Sequence, residues 1–269
     1  MGAGIAEVVA RAGIDVVVRS RSQATAEETR NQIQASLQKQ VVNGKLTQAL
    51  QDAAMNHICV VSELSGLKNC DLIIESAVED LPTKKDLFEK LDAILDPDCI
   101  IATNTSTLPV IELARSTKRP DRVCGIHFFN PATIMRLVEV VRPITASDET
   151  IALANEFVKN CGKEAVQVVD RAGFIVNALL FPYLNNAIAM FEAGTATMQD
   201  IDTAMKGGCN FPMGPFALLD LVGLDTSMAI LEALHAEYGR PDLEPRPMLK
   251  KLVGEGKLGR KTKQGFFNY

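Results

Sequence analysis

The opening of the chain, Met1-Gly2-Ala3-Gly4-Ile5-Ala6-Glu7-Val8-Val9-Ala10-Arg11-Ala12-Gly13, runs almost directly into Asp15-Val16-Val17-Val18. The first part reads as a helix that opens on small residues and closes on a C-cap glycine, the second as a short β-branched strand. In a doubly wound nucleotide-binding fold such a helix follows a strand and a glycine-rich turn, and Gly2 would take the place of the third glycine of Gly-x-Gly-x-x-Gly. Two readings of this segment stand side by side. It is either part of a βαβ unit whose front strand is missing, with Met1 an internal methionine of a longer protein, or a small-residue helix packed closely on a neighbour.

Farther along, Ser22 to Asn43 predicts a long surface helix ended near Gly44, and Thr47 to Met55 a second helical piece. Short β-branched runs follow at Ile58 to Val61, Asp71 to Ile74, Ile100 to Thr103, Arg122 to Ile126, Leu137 to Val141 and Ala165 to Val169. Between them, Pro82 to Leu95 and Ser147 to Cys161 carry apolar residues at helical spacing. This alternation predicts an α/β, doubly wound Rossmann-like domain over residues 1–170, with a largely parallel sheet covered by helices on both faces. From Gly173 the pattern changes. Phe174 to Glu192, Met198 to Lys206, Phe216 to Val222, Asp225 to Tyr238 and Pro247 to Glu255 read as helices with no strand among them, so residues 171–269 are expected to form an all-α domain.

Composition narrows the function classes. With 47% hydrophobic residues in 269 the chain is that of a globular protein, and a net charge of −5 offers no basic field for a phosphate backbone. Nucleic acid is therefore not an expected partner. The six cysteines form no Cys-x-x-Cys pair and have no histidine at metal spacing, so they read as reduced, mostly buried thiols, with no metal site implied. No apolar run approaches the roughly 18 residues of a membrane span, and no signal segment is recognisable. A cytoplasmic protein with no membrane contact is expected.

Four stretches place polar groups where a sheet of this type presents its ligand site, at the carboxyl ends of strands. His127-Phe128-Phe129-Asn130-Pro131 ends one strand, and Glu139 lies in the next, Leu137-Val138-Glu139-Val140-Val141. An imidazole is suited to taking a hydroxyl proton near neutral pH, and a carboxylate at its far nitrogen would fix the tautomer. The alternative is a packed core histidine. Thr103-Asn104-Thr105-Ser106 offers hydroxyls and an amide for a substrate oxygen, or an ordinary helix N-cap cluster before Pro109. Glu75-Ser76-Ala77-Val78-Glu79-Asp80, with Lys84 beyond it, is either a site element or a solvated acidic turn. Gly173-Phe174-Ile175-Val176-Asn177 puts one amide on an apolar helix face, where a neighbouring backbone could equally satisfy it.

Taken together these stretches resemble the short-chain 3-hydroxyacyl-CoA (3-hydroxybutyryl-CoA) dehydrogenase family over essentially the whole chain. The resemblance rests on Gly4-Ile5-Ala6, Asn104-Thr105-Ser106, Gly125 to Pro131, Leu137-Val138-Glu139-Val140, Gly173 to Asn177, Phe211-Pro212-Met213-Gly214-Pro215, Asp220 to Asp225 and Gly259 to Tyr269, all in family order. It implies interconversion of a 3-hydroxyacyl-CoA and a 3-oxoacyl-CoA by hydride transfer with a nicotinamide cofactor. His127 would be the general base, Glu139 would orient it, and Ser106 and Asn177 would hold the substrate oxygen and thioester arm. It places Glu79, Lys84, Ser106, Asn130 and Lys261 near the cofactor and Ser36 near the CoA moiety of the acyl-CoA thioester. It also implies a homodimer formed through the helical domain.

Two departures qualify the resemblance. The family's first strand and Gly-x-Gly turn are absent, and their loss would expose two strand edges and remove most of the pyrophosphate cradle. A truncated gene model or fragment that folds poorly and binds cofactor weakly is expected. The second departure is Val18-Arg19-Ser20-Arg21-Ser22, where family members that use NAD place an acidic residue at the position of Ser20. A serine flanked by Arg19 and Arg21 would accept a 2'-phosphate, so NADP(H) is expected to be preferred over NAD(H). The related sugar-acid dehydrogenase and crystallin branch, and a non-catalytic remnant that only dimerises, are the alternatives.

Overall fold

A computed structural model describes all 269 residues as two compact units, Met1–Asp170 and Arg171–Tyr269. The first unit runs α1 (Gly2–Arg11), β1 (Val16–Arg19), α2 (Gln23–Val42), α3 (Gln48–Asn56), β2 (Ile58–Val61), β3 (Leu72–Glu75), α4 (Leu81–Asp92), β4 (Ile100–Thr103), α5 (Val110–Ala114), β5 (Val123–Phe128), β6 (Leu137–Arg142), α6 (Asp148–Asn160) and β7 (Glu164–Val169). Local chemistry sets the helix starts. Ser22 and Thr25 form a capping box at α2, and the side chains of Thr47, Asp80 and Ser147 accept backbone N–H groups at α3, α4 and α6.

The strands form two sheets. β1 pairs only with β2, and a five-stranded sheet has the order β3-β4-β5-β6-β7, so β1 and β3 each have a strand neighbour on one edge alone. Helix α1 packs against both sheets. Its Ile5, Val8 and Val9 join the core over the larger sheet with Ile100, Ile126 and Val140, while Ala6 and Ala10 pack with Ile33, Leu37 and Ile58 on the smaller one.

The larger sheet is parallel except between β5 and β6. The eight residues 129–136 between those strands are too few for a crossover, which takes about a dozen or more, so the chain turns back on itself. β5 is buried along its whole length and β6 at its four central residues. Their close approach requires Gly125, where an added Cβ would lie 2.7 Å from Cβ of Val141.

The second unit is helical: α7 (Val176–Glu192), α8 (Met198–Cys209), α9 (Pro215–Val222), α10 (Leu224–Tyr238) and α11 (Pro247–Gly254). Phe181, Leu184, Ile188, Phe216, Leu231 and Leu249 form its core. Two buried carboxylates organise the connections. Asp202 accepts the N–H groups of Phe216 and Ala217 at the start of α9, and Asp220 accepts those of Phe266 and Phe267 near the chain end. No helix is long and apolar enough to cross a membrane.

Candidate active site

The antiparallel register of β5 and β6 sets His127 directly opposite Glu139, so both side chains leave the same face of the sheet. Their separation follows from that pairing: His127 Nδ1 lies 2.8 Å from Glu139 Oε2, with the residues 6% and 1% exposed. The ring of Phe129 covers the imidazole, its centroid 4.6 Å away. The Glu139 carboxylate thus engages the imidazole through Nδ1.

The loop after β4 lies beside this pair. Asn104 Oδ1 accepts the N–H of Phe128 at 2.8 Å, tying that loop to the residue that follows the histidine. Thr105 is buried, while Ser106 and Thr107 are half-buried. Glu79 holds this loop: its Oε1 accepts from the Thr105 hydroxyl and from the N–H groups of Ser106 at 2.9 Å and Thr107 at 3.3 Å. Burial pushes the Glu79 carboxyl up, but the Thr105 hydroxyl, the Lys84 charge and the Ser106 N–H outweigh it and hold the group below its usual range. Lys84 is fully enclosed at 1% exposure, bound to both oxygens of Glu75. The acidic stretch is thus not a solvated turn throughout, because Glu75 is buried at the end of β3.

Around α1 the structure brings together two of the residues expected near cofactor and CoA, while Glu79, Lys84, Ser106 and Lys261 do not line the same cavity. A cavity of about 190 Å³ is lined by Gly4, Glu7, Ser36, Asn130 and Thr133 among others, which brings Ser36 of α2 and Asn130 of the loop after β5 to the same helix. Gly2 begins α1, which carries no side-chain cap. A Cβ on Gly2 would meet Cβ of Ser76 at 3.8 Å, and the buried Ser76 hydroxyl has no hydrogen-bond partner. Uncapped helix N–H groups, small residues and an orphaned hydroxyl fit the anionic phosphates of a dinucleotide. At the end of β1, Arg19 Nε donates to the Ser62 carbonyl at 2.9 Å, Ser20 is partly buried, and Arg21 is exposed.

In the helical unit, Asn177 is buried in the first turn of α7. Lys261 pairs with both oxygens of Asp225 at 2.6 and 2.5 Å. Of the cysteines, Cys99, Cys124 and Cys161 are buried, Cys70 is intermediate and Cys59 and Cys209 are exposed, a more even division than expected. Burial pushes the Cys99 and Cys124 thiols up to about 12 and Cys161 to about 11, so none of these three offers a thiolate nucleophile near neutral pH. Two elements of the site went unread in the sequence: Glu75 as the partner of Lys84, and Asn104 as a bridge between loops. Their sequence spacings, nine and twenty-four residues, match no local pattern.

The chain matches the NAD binding domain of 3-hydroxyacyl-CoA dehydrogenase over residues 1–171 and its C-terminal domain over residues 173–269. It is 44% identical over 271 residues to a 3-hydroxybutyryl-CoA dehydrogenase of Mycobacterium tuberculosis, covering 100% of this chain and 95% of that protein. To the human mitochondrial hydroxyacyl-coenzyme A dehydrogenase it is 41% identical, covering 100% and 88%. The crystal structure of (S)-3-hydroxybutyryl-CoA dehydrogenase from Ralstonia eutropha superposes with a TM-score of 0.98 at 38% identity, covering 100% of this chain and 95% of that one. The chain belongs to the 3-hydroxyacyl-CoA dehydrogenase family.

Proposed function

We propose that this protein interconverts a short-chain (S)-3-hydroxyacyl-CoA, such as 3-hydroxybutyryl-CoA, and the corresponding 3-oxoacyl-CoA. The observation that carries the reading is the buried His127–Glu139 pair, 2.8 Å apart at the carboxyl end of β5. A nicotinamide cofactor, when bound, supplies the hydride acceptor for oxidation and the hydride donor for reduction. His127 takes the proton of the 3-hydroxyl on Nε2 in oxidation and returns it in reduction. Glu139 stabilises the imidazolium formed and keeps the ring in one orientation. Ser106, on the loop after β4, donates to the substrate oxygen, and Asn177 holds the thioester arm. Gly2, Glu79, Lys84, Asn130 and Lys261 serve the cofactor side, with Ser36 toward the CoA moiety.

The cofactor is NADP(H) in preference to NAD(H). Arg21 is the better phosphate partner, because it is exposed while Arg19 is already engaged with the Ser62 carbonyl. A serine at position 20 leaves no carboxylate to repel a 2'-phosphate. The working form is a homodimer built through the helical unit, where Leu179, Phe211 and Leu221 are exposed, and it acts in the cytoplasm. Acetoacetyl-CoA reduction followed with both nicotinamides tests the reading. Turnover with kcat/KM at least about tenfold higher for NADPH, a difference of about 1.4 kcal/mol, is expected. No turnover with either refutes the activity, and an advantage for NADH refutes the cofactor choice.

A further inference from the structure

Lys163 stands between α6 and β7. The chain reverses there at Gly162, whose φ of +69° lies in the left-handed region that a glycine adopts without strain. The N–H of the next residue, Glu164, donates to the Arg136 carbonyl at 2.8 Å and opens the ladder between β6 and β7. Lys163 is thereby brought to residues 129–136, the segment that joins β5 and β6, the two strands that carry His127 and Glu139. Its Nζ donates to the Ala132 carbonyl at 2.6 Å and to the Met135 carbonyl at 2.8 Å. Burial is the first cause that pushes the Lys163 ammonium below its usual range and the Arg11 charge the second. The group has exchanged water for carbonyl oxygens.

Within the segment the N–H groups of Ile134 and Met135 both donate to the Pro131 carbonyl at 3.0 Å, which closes a tight turn. One charged donor then joins the carbonyls on either side of that turn, and charge-assisted bonds of this kind are about twice as strong as neutral ones. The turn is seated on α1. Ala132 is buried with Ile5, Val8 and Val9, and a Cβ on Gly4 would lie 3.5 Å from that of Ala132. Asn130, Ala132 and Thr133 form part of the lining of the cavity of about 190 Å³ that Ser36 also lines. The course of this backbone therefore sets the shape of that cavity.

We propose that Lys163 is a positioning residue for acyl-CoA binding: by holding the Ala132 and Met135 carbonyls it fixes the 129–136 segment against α1, and with it the part of the cavity lining that lies beside Ser36. The effect falls on affinity more than on proton transfer, because the His127–Glu139 register is set by the β5–β6 ladder itself. The proposal rests on the reading of this cavity as the CoA side of the site, but the hold on the segment is measurable without turnover.

Lys163→Met keeps most of the side chain and removes the charge with both bonds. Hydrogen exchange of the Ile134 and Met135 amides should quicken by about tenfold or more as the turn loosens. The acetoacetyl-CoA Kd, measured by calorimetry, should weaken about tenfold, and KM should rise with it while kcat stays within about threefold. Lys163→Arg restores a charged donor and should bring exchange and Kd back toward wild type. Unmoved amides at 134 and 135 overturn the proposal, as does an acetoacetyl-CoA Kd within about twofold of wild type. A kcat lowered about tenfold at unchanged KM would place Lys163 in the chemistry and overturn it too. Should Lys163→Met fail to fold, Lys163→Gln, which keeps a neutral donor, takes its place, and wild-type exchange and Kd in that variant would equally overturn the proposal. A wild-type protein that binds acetoacetyl-CoA without turnover would refute the dehydrogenase reading and leave the exchange and Kd results to decide the role of Lys163.

Discussion

Two buried nitrogen–carboxylate pairs in the N-terminal unit invite comparison. His127–Glu139 joins neighbouring strands across an antiparallel ladder at 2.8 Å, and Lys84–Glu75 joins a helix to a strand at 2.7 Å, with side chains 7% exposed or less in both. Distance and burial are nearly the same, but the nitrogen groups differ. An imidazole has a second ring nitrogen that can donate or accept, whereas an ammonium has donors only. The first pair therefore suits proton transfer and the second suits holding its surroundings in place. In such a fold the chemistry is set by which nitrogen group meets the carboxylate, more than by how tightly the two are packed.

Substitutions that remove the carboxylate charge should separate the two pairs. Glu75→Gln leaves a buried ammonium with Glu79 as its remaining carboxylate, and should cost about 3–5 kcal/mol of folding stability in chemical denaturation. A loss under about 1 kcal/mol would show that the pair braces nothing. Glu139→Gln keeps the shape but not the charge that stabilises an imidazolium. We expect kcat to fall about a hundredfold or more, and a kcat near wild type would remove Glu139 from the mechanism. Asn104→Ala strips the acceptor from the Phe128 N–H. It should destabilise by about 1–3 kcal/mol, and a neutral effect would mean that the loop bridge is dispensable.

The smallest effect is on pH dependence. The Glu79 carboxyl is held below its usual value in the folded chain, so its contribution is fully present above the ordinary value of 4.5 and is lost as pH falls through the lower folded value. Glu79→Gln should accordingly flatten the fall of stability below pH 4.5 seen in acid titrations followed by circular dichroism. An unchanged acid limb would contradict the assignment.

Much of this architecture was legible because periodicity carries it. The strands Ile58–Val61 and Ile100–Thr103 coincide with their β-branched runs, and the five long helices of the second unit follow their apolar spacing to within a few residues. The direction of β6 was not read, because alternation of side chains is the same in parallel and antiparallel strands; only the short connection at 129–136 reveals it. Helix α5, Val110–Ala114, was read only as the alternative to a site element at Thr103 to Ser106. It is short, and its first N–H groups are accepted by Asp170, some sixty residues away. In the site, His127 and Ser106 stood out as polar groups at strand ends and Glu139 as the carboxylate of the next strand, whereas the stretch of Glu75 read either as a site element or as a solvated acidic turn. Its burial depends on Lys84 folding back from α4, a contact that spacing along the chain does not announce.

The central claim is that His127 moves the proton, and replacing it tests that most directly. In His127→Gln, kcat for acetoacetyl-CoA reduction should fall by about 10²- to 10⁴-fold, while the denaturation midpoint and the dinucleotide Kd stay at wild-type values. A variant that folds, binds cofactor and retains turnover within about tenfold of wild type, less than a general base contributes, would show that another group takes the proton.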